Sequence, residues 1–114
     1  MATDCIFCKI VDGEIPADIV FQNEEFIAFR DINPVAPLHV LIVPRIHIVS
    51  LAEVSTEHEG LMGRLVLLAK NIAESENVSA SGFRLITNCG NDSGQIVPHL
   101  HFHLLGGRKL GRMG

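Results

Sequence analysis

Short apolar runs, one stretch of helical periodicity and several clusters of turn-forming residues divide the chain into its elements. Residues 5–11 (Cys5-Ile6-Phe7-Cys8-Lys9-Ile10-Val11) suit a short helix stopped by Gly13, after which Pro16 opens an extended stretch. Ile19-Val20-Phe21 reads as a first strand and Phe26-Ile27-Ala28-Phe29-Arg30 as a second. The turn residues Asn23-Glu24-Glu25 between them make the pair a hairpin. Asn33, Pro34 and Pro37 then hold a loop. His39-Val40-Leu41-Ile42-Val43 is a continuous apolar and β-branched run ended by Pro44, the pattern of a central strand covered on both faces.

Leu61, Leu65, Leu68 and Ile72 recur at helical spacing and predict the one long helix over 56–76, with Ser55 or Thr56 as N-cap and Thr56 and Glu59 spaced as a capping box. Phe83-Arg84-Leu85-Ile86-Thr87 is a fourth strand. Residues 88–94 are too rich in Gly, Asn and Asp for regular structure, and Pro98 leads into a last strand, 99–105, closed by Gly106-Gly107. Strands, a long helix and strands again make an α+β fold, a single domain over residues 1–114, with an antiparallel meander as the simplest strand order.

Charge and cysteine content narrow the chemistry. Nine Lys+Arg against thirteen Asp+Glu give a formal charge of -4, which argues against an extended nucleic-acid footprint and leaves small phosphates as the phosphate ligands to consider. No basic segment followed by an apolar one opens the chain and no window reaches the ~18 apolar residues of a membrane span, so a cytoplasmic protein without membrane attachment is expected. Three cysteines make no disulfide framework. Cys5-x-x-Cys8 reads as a metal site before a redox pair, because four preceding residues leave no room for a strand; two small buried residues are the alternative.

Six histidines stand in 114 residues, three of them at His99, His101 and His103. In a strand these three project from one face while Leu100, Phe102 and Leu104 line the other. Three imidazoles on one face read as a metal site, a solvated face or a catalytic surface using neutral imidazole as nucleophile. Residues 88–95 precede them, and the glycines there permit backbone N–H groups to converge on an anion. Beside the histidine face, such a loop favours phosphoryl chemistry, with a plain hairpin turn as the other reading. His58, early in the long helix, is read as a solvated residue.

Gln95-Ile96-Val97-Pro98-His99-Leu100-His101-Phe102-His103-Leu104-Leu105 resembles the signature of the histidine triad (HIT) family. So, in the same order, do Cys5-Ile6-Phe7-Cys8-Lys9-Ile10 with Gly13-Glu14-Ile15-Pro16, Phe29-Arg30-Asp31-Ile32-Asn33-Pro34, Ala36-Pro37-Leu38-His39, Val43-Pro44-Arg45-Ile46-His47-Ile48 and Gly106-Gly107-Arg108. The blocks look most like the Hint branch of purine nucleoside phosphoramidases. That resemblance implies a homodimer cleaving the P–N bond of purine nucleoside 5'-phosphoramidates such as adenosine 5'-monophosphoramidate, with no organic cofactor.

The resemblance also implies roles. His101 is the nucleophile, aimed by the main-chain carbonyl of His99, with His103 beside the phosphate and His39 extending the hydrogen-bond network. Asp31 meets the ribose hydroxyls, while Ile32, Phe7 and Ile6 meet the purine. Asn88 and the backbone of Gly94 and Ile96 contact the phosphate, and Gln95 lies near the leaving group. Ile96 stands where many members of the branch have Ser, which keeps the backbone donor and changes the leaving-group side. Some bacterial members bind structural zinc through ligands matching Cys5, Cys8, His47 and His99. Two other functions remain open: a nucleotide- or metal-binding regulatory module, and a dinucleoside polyphosphate hydrolase, against which the Gly106-Gly107-Arg108 ending argues.

Overall fold

A computed structural model describes residues 5–114; residues 1–4 of the expected domain lie outside that range. The elements run α1 (Ile6–Val11), β1 (Ile19–Gln22), β2 (Phe26–Arg30), β3 (Leu38–Pro44), α2 (Glu59–Ser75), β4 (Phe83–Ile86) and β5 (Phe102–Gly106). This is the expected α+β chain, with an antiparallel five-stranded sheet, one long helix and a short N-terminal one. No helix among the described residues is long and apolar enough to cross a membrane.

β3 is buried at all seven positions, and the parity of its side chains explains the layering. Leu38, Val40 and Ile42 face α2, where they join Phe26, Ala28, Leu104 and the helix residues Leu61, Leu65, Leu68 and Ile72 in the larger core. Leu41 and Val43 face the other way and pack with Ile27 and Phe29 against Phe7 and Ile10 of α1. His39 shares the parity of Leu41, and His103 of β5 pairs opposite Leu41, so both imidazoles belong to the α1 face.

The strand order is β1-β2-β3-β5-β4, all pairs antiparallel, which departs from a simple meander at one place. After β3 the chain crosses the sheet through α2, roughly 25 Å long at 1.5 Å per residue, and sets β4 at the far edge. β5 then fills the place between.

Two boundaries differ from the sequence expectation in ways that bear on function. β5 begins at Phe102, so His99 and His101 precede the ladder. Continuing it would meet Pro44, which has no N–H; the Leu100 N–H donates instead to the Ile48 carbonyl at 2.6 Å, and Thr87 Oγ1 donates to the His101 carbonyl at 2.8 Å. The long helix begins one turn late, after a 3-10 turn over Thr56–His58. There the Ser55 N–H donates to His58 Nδ1 at 3.0 Å, so the reciprocal cap is Ser55/His58, not Thr56/Glu59, and His58 has a structural task.

Candidate active site

A cleft of about 550 Å3 opens on the α1 face. Ile6, Phe7, Asp31 and Ile32 line one part of it, and Asn88, Gly94, Ile96, His39, His101 and His103 another. These are ten of the residues expected there. Ile15, Pro16, Ala17, Phe29, Leu41 and Val97 also line it; each carries only apolar bulk, so no chemical signal in the sequence marked them.

Backbone groups decide where each imidazole carries its proton. His101 Nδ1 lies 2.7 Å from the His99 carbonyl, which can only accept, so Nδ1 holds a proton and the neutral ring has its lone pair on Nε2. Phe7 packs edge-on to the His101 ring at 4.9 Å between centroids and holds its plane. In His39 the order is reversed: Nδ1 accepts the Val35 N–H at 3.1 Å, leaving the proton on Nε2. His39 Nε2–H donates to His103 Nδ1 at 2.9 Å, with Asp31 Oδ2 at 3.4 Å as a second acceptor. His103 Nδ1 is thereby an acceptor, and its proton sits on Nε2.

Burial, reinforced by His101 and His39, pushes His103 down to about 4, with Asp31 pulling weakly the other way. Burial also lowers His39, again opposed by Asp31. The His101 ring thus lies beside an uncharged N–H donor on His103, their rings 5.1 Å apart.

The loop over 88–95 is more ordered than its composition suggested. A 3-10 turn, Asn91–Ser93, sits between Gly90 at φ 84 and Gly94 at φ 91, a left-handed backbone that glycine adopts without a Cβ penalty. The Gly94 N–H closes this turn on the Asn91 carbonyl at 3.0 Å, so it is already engaged. The Ile96 N–H, at the cleft, has no protein acceptor among the described residues and is a free backbone donor. Gln95 does not line the cleft: its amide donates to the Val49 and Val97 carbonyls at 2.8 and 3.0 Å and accepts the Gly90 N–H at 2.9 Å.

His99 turns its ring away from the cleft. Its Nε2–H donates to the Pro44 carbonyl at 2.9 Å, which leaves the Nδ1 lone pair facing Cys5 Sγ at 3.3 Å, Cys8 Sγ at 3.6 Å and His47 Nδ1 at 3.1 Å. Cys8 Sγ and His47 Nδ1 are 3.2 Å apart. Two thiolates at about 2.3 Å and two imidazole nitrogens at about 2.0 Å from one tetrahedral ion stand roughly 3.3–3.8 Å from each other, so these separations are close to the edges of a ligand tetrahedron. The Pro44 carbonyl supplies the outer hydrogen bond that orients a metal-binding imidazole. Burial raises Cys8 to about 11, so that thiol stays protonated until a cation displaces its proton. The four expected ligands fit a zinc ion. A second group, Asp31, His39 and His103, is equally close, but the Val35 N–H occupies His39 Nδ1 and the proton on Nε2 links it to His103, so this trio is a hydrogen-bond relay.

Residues 12–110 match the family model described as the HIT domain. The chain belongs to the HIT family. Over 113 residues it is 51% identical to the purine nucleoside phosphoramidase of Escherichia coli (strain K12), covering 99% of this chain and 95% of that one. The HIT family hydrolase of Legionella pneumophila Philadelphia 1 superposes with a TM-score of 0.93 at 44% identity, over 95% of this chain and 96% of that one. A histidine triad protein from Clostridium difficile gives 0.95 at 42% identity, over 100% and 99%. With these relatives, this HIT protein is a hydrolase.

Proposed function

We propose that this HIT hydrolase cleaves the P–N bond of purine nucleoside 5'-phosphoramidates and that His101 is the nucleophile. The observation that carries the reading is the 2.7 Å bond from His101 Nδ1–H to the His99 carbonyl, which in the neutral ring puts the lone pair on Nε2 at the cleft. The purine lies against Ile6, Phe7 and Ile32, with apolar contact and so little discrimination between bases, and Asp31 accepts from the ribose hydroxyls. Asn88, the Ile96 N–H and His103 Nε2–H surround the phosphate, and Gln95 braces the loop on the leaving-group side.

His101 Nε2 attacks phosphorus, an N–P bond forms and the P–N bond to the amine breaks, the amine departing with a proton. Water then attacks the same phosphorus, the His101–phosphorus bond breaks and the nucleoside monophosphate leaves with His101 regenerated. Splitting the reaction in two lets one neutral imidazole serve as nucleophile and then as leaving group near pH 7. The test is kinetic: His101→Ala should lower kcat on adenosine 5'-monophosphoramidate by about a thousandfold or more while still binding AMP by calorimetry. An unchanged rate overturns the role of His101, and a wild type that binds AMP without turning over the phosphoramidate leaves the nucleotide-binding module in its place. A higher kcat/KM for diadenosine polyphosphate would instead make the chain a dinucleoside polyphosphate hydrolase.

Structural zinc at Cys5, Cys8, His47 and His99 is supported by the donor set and its spacing, and elemental analysis of protein purified without chelator should give about one zinc per chain. Homodimerisation is supported by the free outer edge of β4 and by exposed Val66 and Leu67 on α2. Light scattering at micromolar concentration tests it, and a monomer refutes it. A reducing cytoplasm, where thiols persist as ligands, is the compartment this zinc site suits.

A further inference from the structure

We infer that Cys5 and Cys8 are positioning residues for the nucleophile, and that the state of this thiol pair, metal ligands or disulfide, sets the aim of His101. The inference rests on the proposed role of His101. Two mechanical links join the thiol cluster to that ring. The first is His99, whose fully buried ring faces Cys5 and Cys8 while its carbonyl takes the His101 Nδ1–H. One residue thus spans both sites, and a displacement of the ring that carries its backbone along moves the acceptor that fixes the nucleophile's tautomer. The second link is α1. Cys5 is its N-cap, with Sγ accepting the Cys8 N–H at 3.3 Å, and between the two cysteines stand Ile6, in the cleft, and Phe7, against the His101 ring. Six residues are too few to hold a helix alone, so α1 depends on its anchors.

The pair can be switched. Cys5 and Cys8 are partly exposed and His47 is exposed, which gives a small oxidant access. The two sulfur atoms are within 4.8 Å. Oxidation by hydrogen peroxide takes one electron from each thiolate: a Cys5–Cys8 bond forms, the O–O bond breaks, and two protons complete two waters. Closing the sulfurs to about 2 Å withdraws both from the imidazoles, so an ion loses half of its donors. The His99 ring is then held on one side only, and Phe7 and Ile6 move with α1.

The experiment uses the full chain with Cys89→Ser, which removes the third thiol. Zinc content is measured first; hydrogen peroxide is then added stepwise, following disulfide by intact mass, released zinc with a chromophoric chelator, kcat and KM on adenosine 5'-monophosphoramidate, and the 15N-edited resonance of the His101 Nδ1–H. Disulfide formation should track zinc release, a kcat loss of about tenfold or more and a shift of that resonance, all reversed by a phosphine reductant with zinc. Cys5→Ser/Cys8→Ser, folded by circular dichroism, should be slow and indifferent to peroxide. Complete disulfide with kcat and the resonance unchanged overturns the inference, as does a pair that resists oxidation. Protein purified without zinc that still loses kcat on oxidation sustains positioning and refutes the metal reading. Protein without phosphoramidase activity refutes the proposed reaction, and the resonance alone then decides positioning.

Discussion

Replacing His103 by Asn should make the protein's stability less sensitive to acid. In the folded chain burial, with His101 and His39 adding to it, holds His103 near 4, whereas an unfolded histidine titrates near 6.5. Between those values the unfolded chain binds the extra proton, so stability rises with pH there. The contribution is fully present above 6.5 and is lost as pH falls from 6.5 toward 4. Moving from pH 7 to pH 5 would cost about 2 kcal/mol for this histidine if the whole shift reached stability. One edge of the ring faces the open cleft, and water screening there reduces the figure to about 1 kcal/mol. His39 and His99, both lowered chiefly by burial, push in the same direction in either protein. The assay is urea unfolding of the wild type and His103→Asn at both pH values and one protein concentration. The wild type should lose about 1 kcal/mol more than the variant. Equal losses would show that His103 is not held neutral, and the acceptor assigned to its Nδ1 would fail with it.

Asp31→Asn should raise KM for adenosine 5'-monophosphoramidate by about tenfold through the lost charge-assisted ribose contact, and the penalty should vanish for a 2',3'-dideoxy substrate. Leu65 is fully buried between α2 and the sheet, so Leu65→Ala should cost about 2–5 kcal/mol in chemical denaturation with kcat retained in the folded fraction. His58→Ala removes the acceptor of the Ser55 N–H and should cost about 1 kcal/mol by the same measurement, without altering KM.

The sheet and its layering were legible because β3 is apolar throughout and α2 carries Leu61, Leu65, Leu68 and Ile72 on one stripe. Pairing was less so. Local pattern carries no information about which strand follows a crossover helix to the sheet edge, and β5 lies inside β4. Alternation brought His101 and His103 to one site, but assigned His99 to the same strand; its ring turns to the cysteines because the ladder fails near Pro44. The thiol spacing at Cys5 and Cys8 announced a metal site, while the contribution of His47 and His99 entered through the family resemblance. Hidden altogether were groups that act through their backbone: the Val35 N–H and the Pro44 carbonyl fix two imidazole tautomers, and neither residue type announces such a task. Gly94, which the resemblance places at the phosphate, lines the cleft while its N–H is given to the Asn91 carbonyl, an engagement that composition could not show.

The central claim is that His101 becomes covalently bonded to phosphorus. Rapid acid-free quenching of the protein with adenosine 5'-monophosphoramidate, followed by intact mass spectrometry and peptide mapping, tests it most directly. The account predicts a mass increase of one adenylyl group, located on His101 and absent from His101→Ala. Turnover with no adduct at any quench time, or an adduct on another residue, would contradict it.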